Sequence, residues 1–165
     1  DFTINAMAFS LQKEDFGALV DPFGGIRDLA CGIIRTPLDP DTTYSDDPLR
    51  MIRAIRFATK LTTDNQAFTI VPESLDSIRR NRGRMEILSK ERVVEELNKI
   101  LVTDKPSTGF RLLDQTGLLE ADQVLCQESR HYSRYYTAYT PSFLCSPSGR
   151  KRRRFKECTG NAGTF

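Results

Sequence analysis

The sequence predicts an α+β fold that is mostly helical, with short strands in residues 1–37, a helical segment over residues 38–120 and an irregular tail over residues 121–165. Three observations lead to this prediction. Residues 1–35 alternate between apolar and polar positions and are interrupted by glycine-containing turns. Residues 45–120 repeat apolar side chains at helical spacing. The tail shows neither period.

The first segment predicts a hairpin followed by a short helix and a strand. Alternation in residues 1–11 and a turn at residues 13–17 are typical of a hairpin. Asp-Pro-Phe-Gly-Gly at residues 21–25 predicts a sharp connection into a short helix over residues 26–31, because an isolated Gly-Gly is weak support for a phosphate loop. Residues 33–35 precede Thr-Pro and predict a short closing strand.

Residues 45–58, SDDPLRMIRAIRFA, predict an amphipathic helix with two carboxylates and three arginines in its opening turns. A helix advances about 100° per residue, so Arg50, Arg53 and Arg56 share one face. The opposite arc is apolar and comprises Met51, Ile52, Ala54, Ile55, Ala58 and Leu61. Asp47 before Pro48 is the predicted N-cap, with Ser45 as the alternative.

The flanking sequence supplies a turn and a second helix. Asp39-Pro40-Asp41 is predicted to form a turn. The pattern after residue 70 predicts a helix from about Glu73 to Arg80, and Gly83 is the predicted stop.

Two more helices are predicted before the tail. Residues 89–102 begin at Ser89, carry acidic side chains early and Lys99 late, and are predicted to serve as a scaffold. Their apolar stripe comprises Val93, Val94, Leu97, Ile100 and Leu101. Pro106 is predicted to end this helix, and residues 107–120 predict a short helix with Gly117 as its C-terminal stop.

Five motifs in order give the chain a family resemblance: DFTINAMAF, DPFGGIRDL, IRTP, DDPLRMIRAIRFA and SKERVVEELNKIL. This order resembles that of class II tRNA nucleotidyltransferases, the CCA-adding enzymes, and bacterial poly(A) polymerases share much of it. The resemblance covers residues 1 to about 120. It implies that residues 1–37 are the C-terminal part of a nucleotidyltransferase head and that residues 38–120 form a helical neck.

The resemblance also implies a function for the arginine-rich helix. Enzymes of this family transfer CMP and AMP from CTP and ATP to the 3′ end of tRNA, and the protein itself serves as the template. The matching positions are Asp46, Asp47 and Arg50, which would pair with the Watson–Crick edge of the incoming base. The family usually has Glu at the first position, so Asp46 departs from the family pattern by one methylene group.

Further nucleotide contacts are implied for three residues. Arg53 and Arg56 would contact triphosphate oxygens or hold the reading side chains, with a purely structural role for one of them as the alternative. Asp1 matches the aspartate of a family motif that contacts the nucleotide and its ribose. The simplest competing hypothesis for the whole helix is a solvated face, on which Arg50 forms weak ion pairs with Asp46 and Asp47.

The catalytic groups of the family are expected outside this sequence. The resemblance implies a Gly-Gly-x-x-Arg-Asp loop and an Asp-x-Asp pair that hold the triphosphate and two Mg²⁺ ions, and neither motif occurs in these 165 residues. We therefore assign no catalytic or metal-binding residue to the chain. The expectation is a fragment that lacks the N-terminal part of its head and is inactive alone.

Three functions stay open at this point. The first is a tRNA nucleotidyltransferase, with CCA addition, CC addition and A addition not distinguished. The second is a bacterial poly(A) polymerase, and the third is a non-catalytic RNA-binding helical module. An upstream Gly-Gly-x-x-Arg-Asp with Asp-x-Asp would favour the enzymes, and its absence from the gene would favour the module.

The tail differs from the rest in composition. It has eight Lys/Arg against three Asp/Glu, whereas residues 1–120 have 16 against 19. Our hypothesis is that a frameshift, an assembly error or a fusion replaced the natural continuation. The basic run at residues 149–156 predicts a disordered tail, with nucleic-acid binding as the less favoured alternative. Cys126, Cys145 and Cys158 are too far apart for a metal knuckle.

The sequence gives no support for a membrane-spanning, secreted or disulfide-rich protein. The chain has no apolar run near the ~20 residues that span a bilayer, no signal-peptide pattern and no disulfide framework. These features favour a cytoplasmic protein. The strands of residues 1–35 are expected to lack sheet partners, which would leave sticky edges.

Overall fold

The computed structural model describes residues 1–121, and the hypotheses on the tail, its basic run and its three cysteines lie outside this range. The described residues form four two-residue strands and seven helices, with 3₁₀ turns at Thr3–Asn5 and Arg82–Ile87. In chain order the elements are β1 (Ala8–Phe9), β2 (Leu19–Val20), α1 (Gly25–Cys31), β3 (Ile33–Ile34), α2 (Pro40–Asp46), α3 (Leu49–Leu61), β4 (Thr69–Ile70), α4 (Pro72–Asn81), α5 (Lys90–Leu101), α6 (Pro106–Thr116) and α7 (Leu118–Ala121). The α+β, mostly helical prediction is confirmed.

The predicted hairpin is present but shorter than the alternation suggested. β1 and β2 pair antiparallel, with Ala8 opposite Val20 and Phe9 opposite Leu19. The preceding residues form a 3₁₀ turn instead of a strand, because Thr3 is fixed elsewhere. Its N–H donates to the carbonyl of Arg35 at 2.9 Å, and its hydroxyl donates to buried Asp28 at 2.6 Å.

The connection into α1 is the sharp turn that the sequence predicts. The Asp21 carboxylate accepts the N–H groups of Gly25 at 2.7 Å and Ile26 at 3.0 Å, and these bonds lower the pKa of Asp21. Gly24 has φ of +72°, which favours glycine. A Cβ on Gly25 would lie 2.3 Å from the carbonyl oxygen of Thr3, so this position has no room for a side chain.

β3 joins the two predicted segments. The sequence predicts this strand, but its partner β4 was missed because two residues give no usable period. The strands are parallel, with Ile33 opposite Thr69 and Ile34 opposite Ile70. β4 lies in the predicted neck and β3 in the predicted head, so this ladder ties the two together. The boundary at residue 37 stays a prediction.

The predicted helix over residues 45–58 is in fact two helices. α2 ends at Asp46 and α3 begins after Pro48. The prediction of a turn at residues 39–41 was wrong, because Asp39 caps α2 instead. Its carboxylate accepts the N–H of Thr42 at 2.9 Å, and Pro40 occupies the first turn, where a missing N–H costs little.

Two predicted helix ends were also misplaced. α4 ends at Asn81 and continues into the 3₁₀ turn, so Gly83 is not its stop. α5 ends at Leu101, and Pro106 begins α6 instead of ending α5. Gly117, in contrast, closes α6 as predicted, with φ of +74° and its N–H bonded to the carbonyl of Asp114 at 3.0 Å.

One core runs through α3 and its neighbours. α3 packs against α5 and α6, and α2 packs against α4. Fully buried side chains include Tyr44, Ile52, Ile78, Ile100 and Leu113. The predicted scaffold helix α5 buries Val93, Leu97 and Ile100 of its apolar stripe. Among the described residues, no helix is long and apolar enough to cross a membrane.

An ion pair is buried between α3 and α5. Arg56 Nε donates to Glu96 Oε2 at 2.6 Å, and the two side chains are 10% and 4% exposed. The Arg56 guanidinium also lies over the Phe57 ring, 4.1 Å from its centroid. Lys99 contacts the other Glu96 oxygen at 3.0 Å. The pair therefore fixes α5 against α3 by charge as well as by apolar contact.

The first 35 residues expose several large apolar side chains, namely Phe9, Leu11, Phe16, Leu19, Val20, Phe23, Ile26 and Leu29. The expectation that the strands of this segment lack sheet partners was wrong, since β1 pairs with β2 and β3 pairs with β4. The sticky character of the segment stays a prediction.

Removing Glu96 should destabilise the fold far more than removing its neighbour. Glu96→Ala leaves the Arg56 charge buried without its partner, which typically costs about 3–5 kcal/mol. Glu95→Ala removes only an exposed contact with Lys99 and should leave the free energy of unfolding almost unchanged. Urea unfolding of both variants measures the difference. Equal losses in the two variants would contradict a structural role for the buried pair.

Gly109 is predicted to tolerate no side chain. A Cβ there would lie 2.6 Å from Ile100 Cγ2 and 2.7 Å from Thr59 Oγ1, so Gly109→Ala should separate α6 from α3 and α5 at a cost of about 1–3 kcal/mol. Gly83→Ala is the matched control, because no atom lies within 4 Å of its Cβ. Thermal unfolding compares the two, and an unchanged midpoint in Gly109→Ala would disprove the tight approach.

Candidate functional site

The orientation of α3 sets where its arginines point. Met51, Ile52, Ala54, Ile55 and Ala58 are fully buried, which confirms most of the predicted apolar arc. Leu61, also predicted for this arc, is only half-buried. Burial of this face turns the start of the opposite face toward the N-terminal segment.

Asp1 meets two of the three arginines. Its carboxylate pairs with Arg53 Nη2 and lies 3.5 Å from Arg50 Nε. Arg50 also donates from Nη1 to the carbonyl of Thr43 at 3.1 Å. The structure thus gathers Asp1, Arg50 and Arg53 at one end of α3.

Asp47 occupies the break between α2 and α3. Its backbone is extended (φ −139°, ψ 99°), and it ends α2. The N-cap of α3 is Pro48, so the predicted cap at Asp47 was placed one residue too early. Asp47 Oδ1 accepts the N–H of Leu49 at 3.2 Å, and Oδ2 accepts from Arg92 Nη2 at 3.3 Å, so two bonds orient the carboxylate.

Sequence reasoning missed Arg92. It lies on α5, which the sequence predicts to be a scaffold, and its side chain is 51% exposed beside Asp47. The sequence places Arg92 three residues after the predicted start of this helix, at Ser89. That spacing does not show which neighbouring helix the Arg92 side chain faces. The contact between α3 and α5 supplies this information.

Asp46 lies on the other side of the break. It is the last residue of α2, it is exposed, and it lines an open depression together with Asp41, Thr42, Ser45, Arg80 and Asn81. The competing hypothesis paired Asp46 and Asp47 with Arg50. In the structure Arg50 pairs with Asp1, and Asp47 pairs with Arg92. The ion pairs of Arg50 with Asp46 and Asp47 that the competing hypothesis predicts are therefore not the ones formed.

Arg56 is placed apart from Arg50. Each step of three residues rotates a side chain about 60° around the helix axis, so Arg56 lies about 120° from Arg50. This rotation carries it into the contact with α5, where it is 8% exposed and bonded to Glu96. Its position favours the structural alternative for one of the two later arginines, while Arg53 stays at the open end.

The start of α3 carries both a hydrogen-bond acceptor and a hydrogen-bond donor. Asp47 offers carboxylate oxygens and Arg50 a planar guanidinium, three residues apart at the start of one helix. Such a pair can match the donor and acceptor edge of a nucleobase. Arg53 adds a further positive charge, and Asp1 holds both arginines in place.

Two family models match the chain. Residues 1–35 match "Poly A polymerase head domain", and residues 67–121 match "Probable RNA and SrmB- binding site of polymerase A". These ranges fall on the predicted head and on the later part of the predicted neck.

Curated relatives match the described part of the chain. A CC-adding tRNA nucleotidyltransferase from Halalkalibacterium halodurans is 38% identical over 118 residues, which is 72% of this chain and 29% of that protein. A CCA-adding enzyme from Levilactobacillus brevis is 42% identical over 118 residues, again 72% of this chain, and 28% of that enzyme. The chain thus spans less than a third of the length of these relatives.

Solved structures agree in fold. The Thermotoga maritima CCA-adding enzyme complexed with tRNA superposes with a TM-score of 0.66 at 37% identity, and a CCA-adding enzyme with ATP superposes with 0.64 at 36% identity. Each match covers 73% of this chain and 28% of the other. Head and neck motifs, sequence relatives and fold therefore agree, and the chain belongs to the family of tRNA nucleotidyltransferases and poly(A) polymerases.

Proposed function

We propose that this chain supplies the nucleotide-selecting helix of a tRNA nucleotidyltransferase, which adds CMP and AMP from CTP and ATP to the 3′ end of tRNA. The observation that carries the proposal is the geometry of Asp47 and Arg50. Both lie at the start of α3, and each is held by a second group, Asp47 by Arg92 and Arg50 by Thr43 and Asp1.

Base chemistry explains the choice of substrates. Cytosine and adenine present an amino group where uracil and guanine present a carbonyl oxygen. A carboxylate accepts a hydrogen bond from the amino group and repels the carbonyl oxygen. Asp47 is thus suited to accept cytosine or adenine, and Arg50 can donate to a ring nitrogen or carbonyl beside that amino group.

The other predicted residues have supporting roles in this proposal. Asp46 assists from the end of α2, and Arg53 contacts triphosphate oxygens. Asp1 contacts the nucleotide and orients Arg50 and Arg53, both of which it touches. Arg56 acts at a distance by holding α3 on α5 through Glu96. Side chains that contact the base must be held in place by neighbouring groups, since small displacements weaken the discrimination between nucleotides.

The comparisons support the substrates and the partner. The relatives named above are tRNA nucleotidyltransferases, and solved family members are complexed with ATP and with tRNA. A role in tRNA 3′-end processing goes with the cytoplasmic location that we predict. A poly(A) polymerase is the second candidate, favoured by the name of the head model, and it would select ATP but not CTP.

Magnesium chemistry is not assigned to the described residues. Within residues 1–121 no group of three or more His, Cys, Asp or Glu side chains is placed to hold a metal ion. Mg²⁺ would be held by the head motifs that the family resemblance implies outside this sequence. No step of the proposal passes through the metal.

A chimera tests nucleotide selection. Residues 1–121 replace the matching segment of the L. brevis enzyme, and incorporation of each of the four nucleotides into a tRNA lacking its CCA end is measured. Asp47→Asn and Arg50→Ala should each reduce the preference for CTP over UTP by about 5- to 150-fold, which corresponds to the ~1–3 kcal/mol of one bidentate base contact. Arg92→Gln should reduce it less, because it acts through Asp47.

Lys13→Gln is the matched control, since Lys13 is exposed near the tip of the hairpin. Preserved selectivity in both the Asp47 and Arg50 variants would exclude the template role. A chimera that accepts ATP and rejects CTP from the start would favour the poly(A) polymerase.

A further inference from the structure

The Asp41 carboxylate, in the first turn of α2, accepts hydrogen bonds from three residues of α4. Arg80 donates from Nη2 at 2.6 Å and from Nε at 3.2 Å, and these two bonds engage both carboxylate oxygens. The Ser77 hydroxyl donates at 2.6 Å and the Asn81 amide at 3.0 Å. These bonds, that of Arg80 first, lower the pKa of Asp41. We call Asp41, Ser77, Arg80 and Asn81 together the Asp41 junction.

The junction contributes more to orientation than to stability. The side chains of Arg80 and Asp41 are 58% and 47% exposed, and ion pairs as exposed as this one add little to the free energy of unfolding. A guanidinium fork on a carboxylate nevertheless fixes both the distance and the angle between the two groups. The junction therefore restricts how α2 lies on α4.

The helix α2 depends on such contacts for its orientation. It has seven residues, and isolated helices shorter than about 12 residues are marginal in water. At its end the chain is extended at Asp47, so α2 does not continue into α3. Fully buried Tyr44 anchors α2 on α4 by apolar contact, which has no preferred direction. The hydrogen bonds of the Asp41 junction supply the direction.

The position of α2 bears on the proposed base-reading pair through Thr43. The Thr43 carbonyl lies two residues after Asp41 and accepts a hydrogen bond from Arg50 Nη1 at 3.1 Å. The contact of Arg50 Nε with Asp1 is longer, at 3.5 Å. Asp46, the assisting carboxylate, is the last residue of the same helix. A shift of α2 would therefore move an acceptor of Arg50 and the Asp46 side chain together.

We propose that Asp41 is a positioning residue for nucleotide selection, an inference that rests on the proposed function. It holds α2 on α4 through Arg80, so that the Thr43 carbonyl stays where it orients the Arg50 guanidinium. Asp41 itself contacts no nucleotide in this role. The alternative is a purely structural junction, whose loss would lower stability without changing which nucleotide is selected.

The test uses the chimera with the L. brevis enzyme and measures kcat/KM for CTP and for UTP. Asp41→Asn leaves one oxygen and places an amide NH₂ group against the donating guanidinium, and Arg80→Gln breaks the same fork from the other side. Asp76→Asn is the matched control, because this exposed carboxylate bonds Arg79 within α4 and does not reach α2. The CTP to UTP ratio is measured on one preparation, so it does not depend on the fraction of enzyme that is folded.

Asp41→Asn and Arg80→Gln should each reduce the preference for CTP over UTP by about 3- to 10-fold. The loss is smaller than that of Arg50→Ala because the guanidinium is displaced and not removed. Asp76→Asn should keep the preference of the unmodified chimera. Since Asp41 acts through Arg50, adding Asp41→Asn to Arg50→Ala should reduce the preference no further than Arg50→Ala alone.

Three results would overturn the inference: an unchanged preference in Asp41→Asn and Arg80→Gln, an equal loss in Asp76→Asn, or a further loss when Asp41→Asn is added to Arg50→Ala. The proposed function fails separately. If Arg50→Ala keeps the preference for CTP, the base-reading role of Arg50 is excluded and the role of Asp41 with it. If Arg50→Ala loses the preference while the junction variants keep it, the positioning role of Asp41 alone is excluded.

Discussion

Burial of one face of α3 is the constraint on which the site depends. Met51, Ile52, Ile55 and Ala58 are inaccessible to water, and this apolar contact with α5 and α6 fixes the rotation of the helix about its axis. The rotation of the helix determines which partner each arginine contacts. Arg50 and Arg53 reach Asp1, whereas Arg56 is carried into the interface and needs Glu96 as a partner.

The helix break at Asp47 and Pro48 has a second consequence. It separates two adjacent carboxylates, because Asp46 is the last residue of α2 while Asp47 accepts the N–H of Leu49 at the start of α3. α5 then acts on both ends of the site, through Arg92 at Asp47 and through Glu96 at Arg56. A helix that the sequence predicts to be a scaffold is thus the element that sets the orientation of a proposed base-reading side chain.

Long amphipathic helices and helix ends with characteristic residues could be predicted from the sequence. The apolar arc of α3, apart from Leu61, and the Gly117 stop follow from spacing and capping rules, and they are confirmed. The predicted cap at Asp47 lies one residue before the observed cap, Pro48. Two-residue strands carry no period, so β4 was missed. The Pro40 and Pro106 errors share one cause, since proline can begin a helix as well as end one. The Arg92 contact depends on how two helices pack, and no local pattern contains that information.

A structure of the chimera with CTP would test the central claim most directly. The account predicts that an Asp47 carboxylate oxygen lies within about 3.2 Å of the cytosine amino nitrogen, and that a guanidinium nitrogen of Arg50 lies within the same distance of the ring nitrogen or carbonyl oxygen. Arg92 should still contact Asp47. A cytosine bound elsewhere, with neither the Asp47 carboxylate nor the Arg50 guanidinium in contact with the base, would contradict the account.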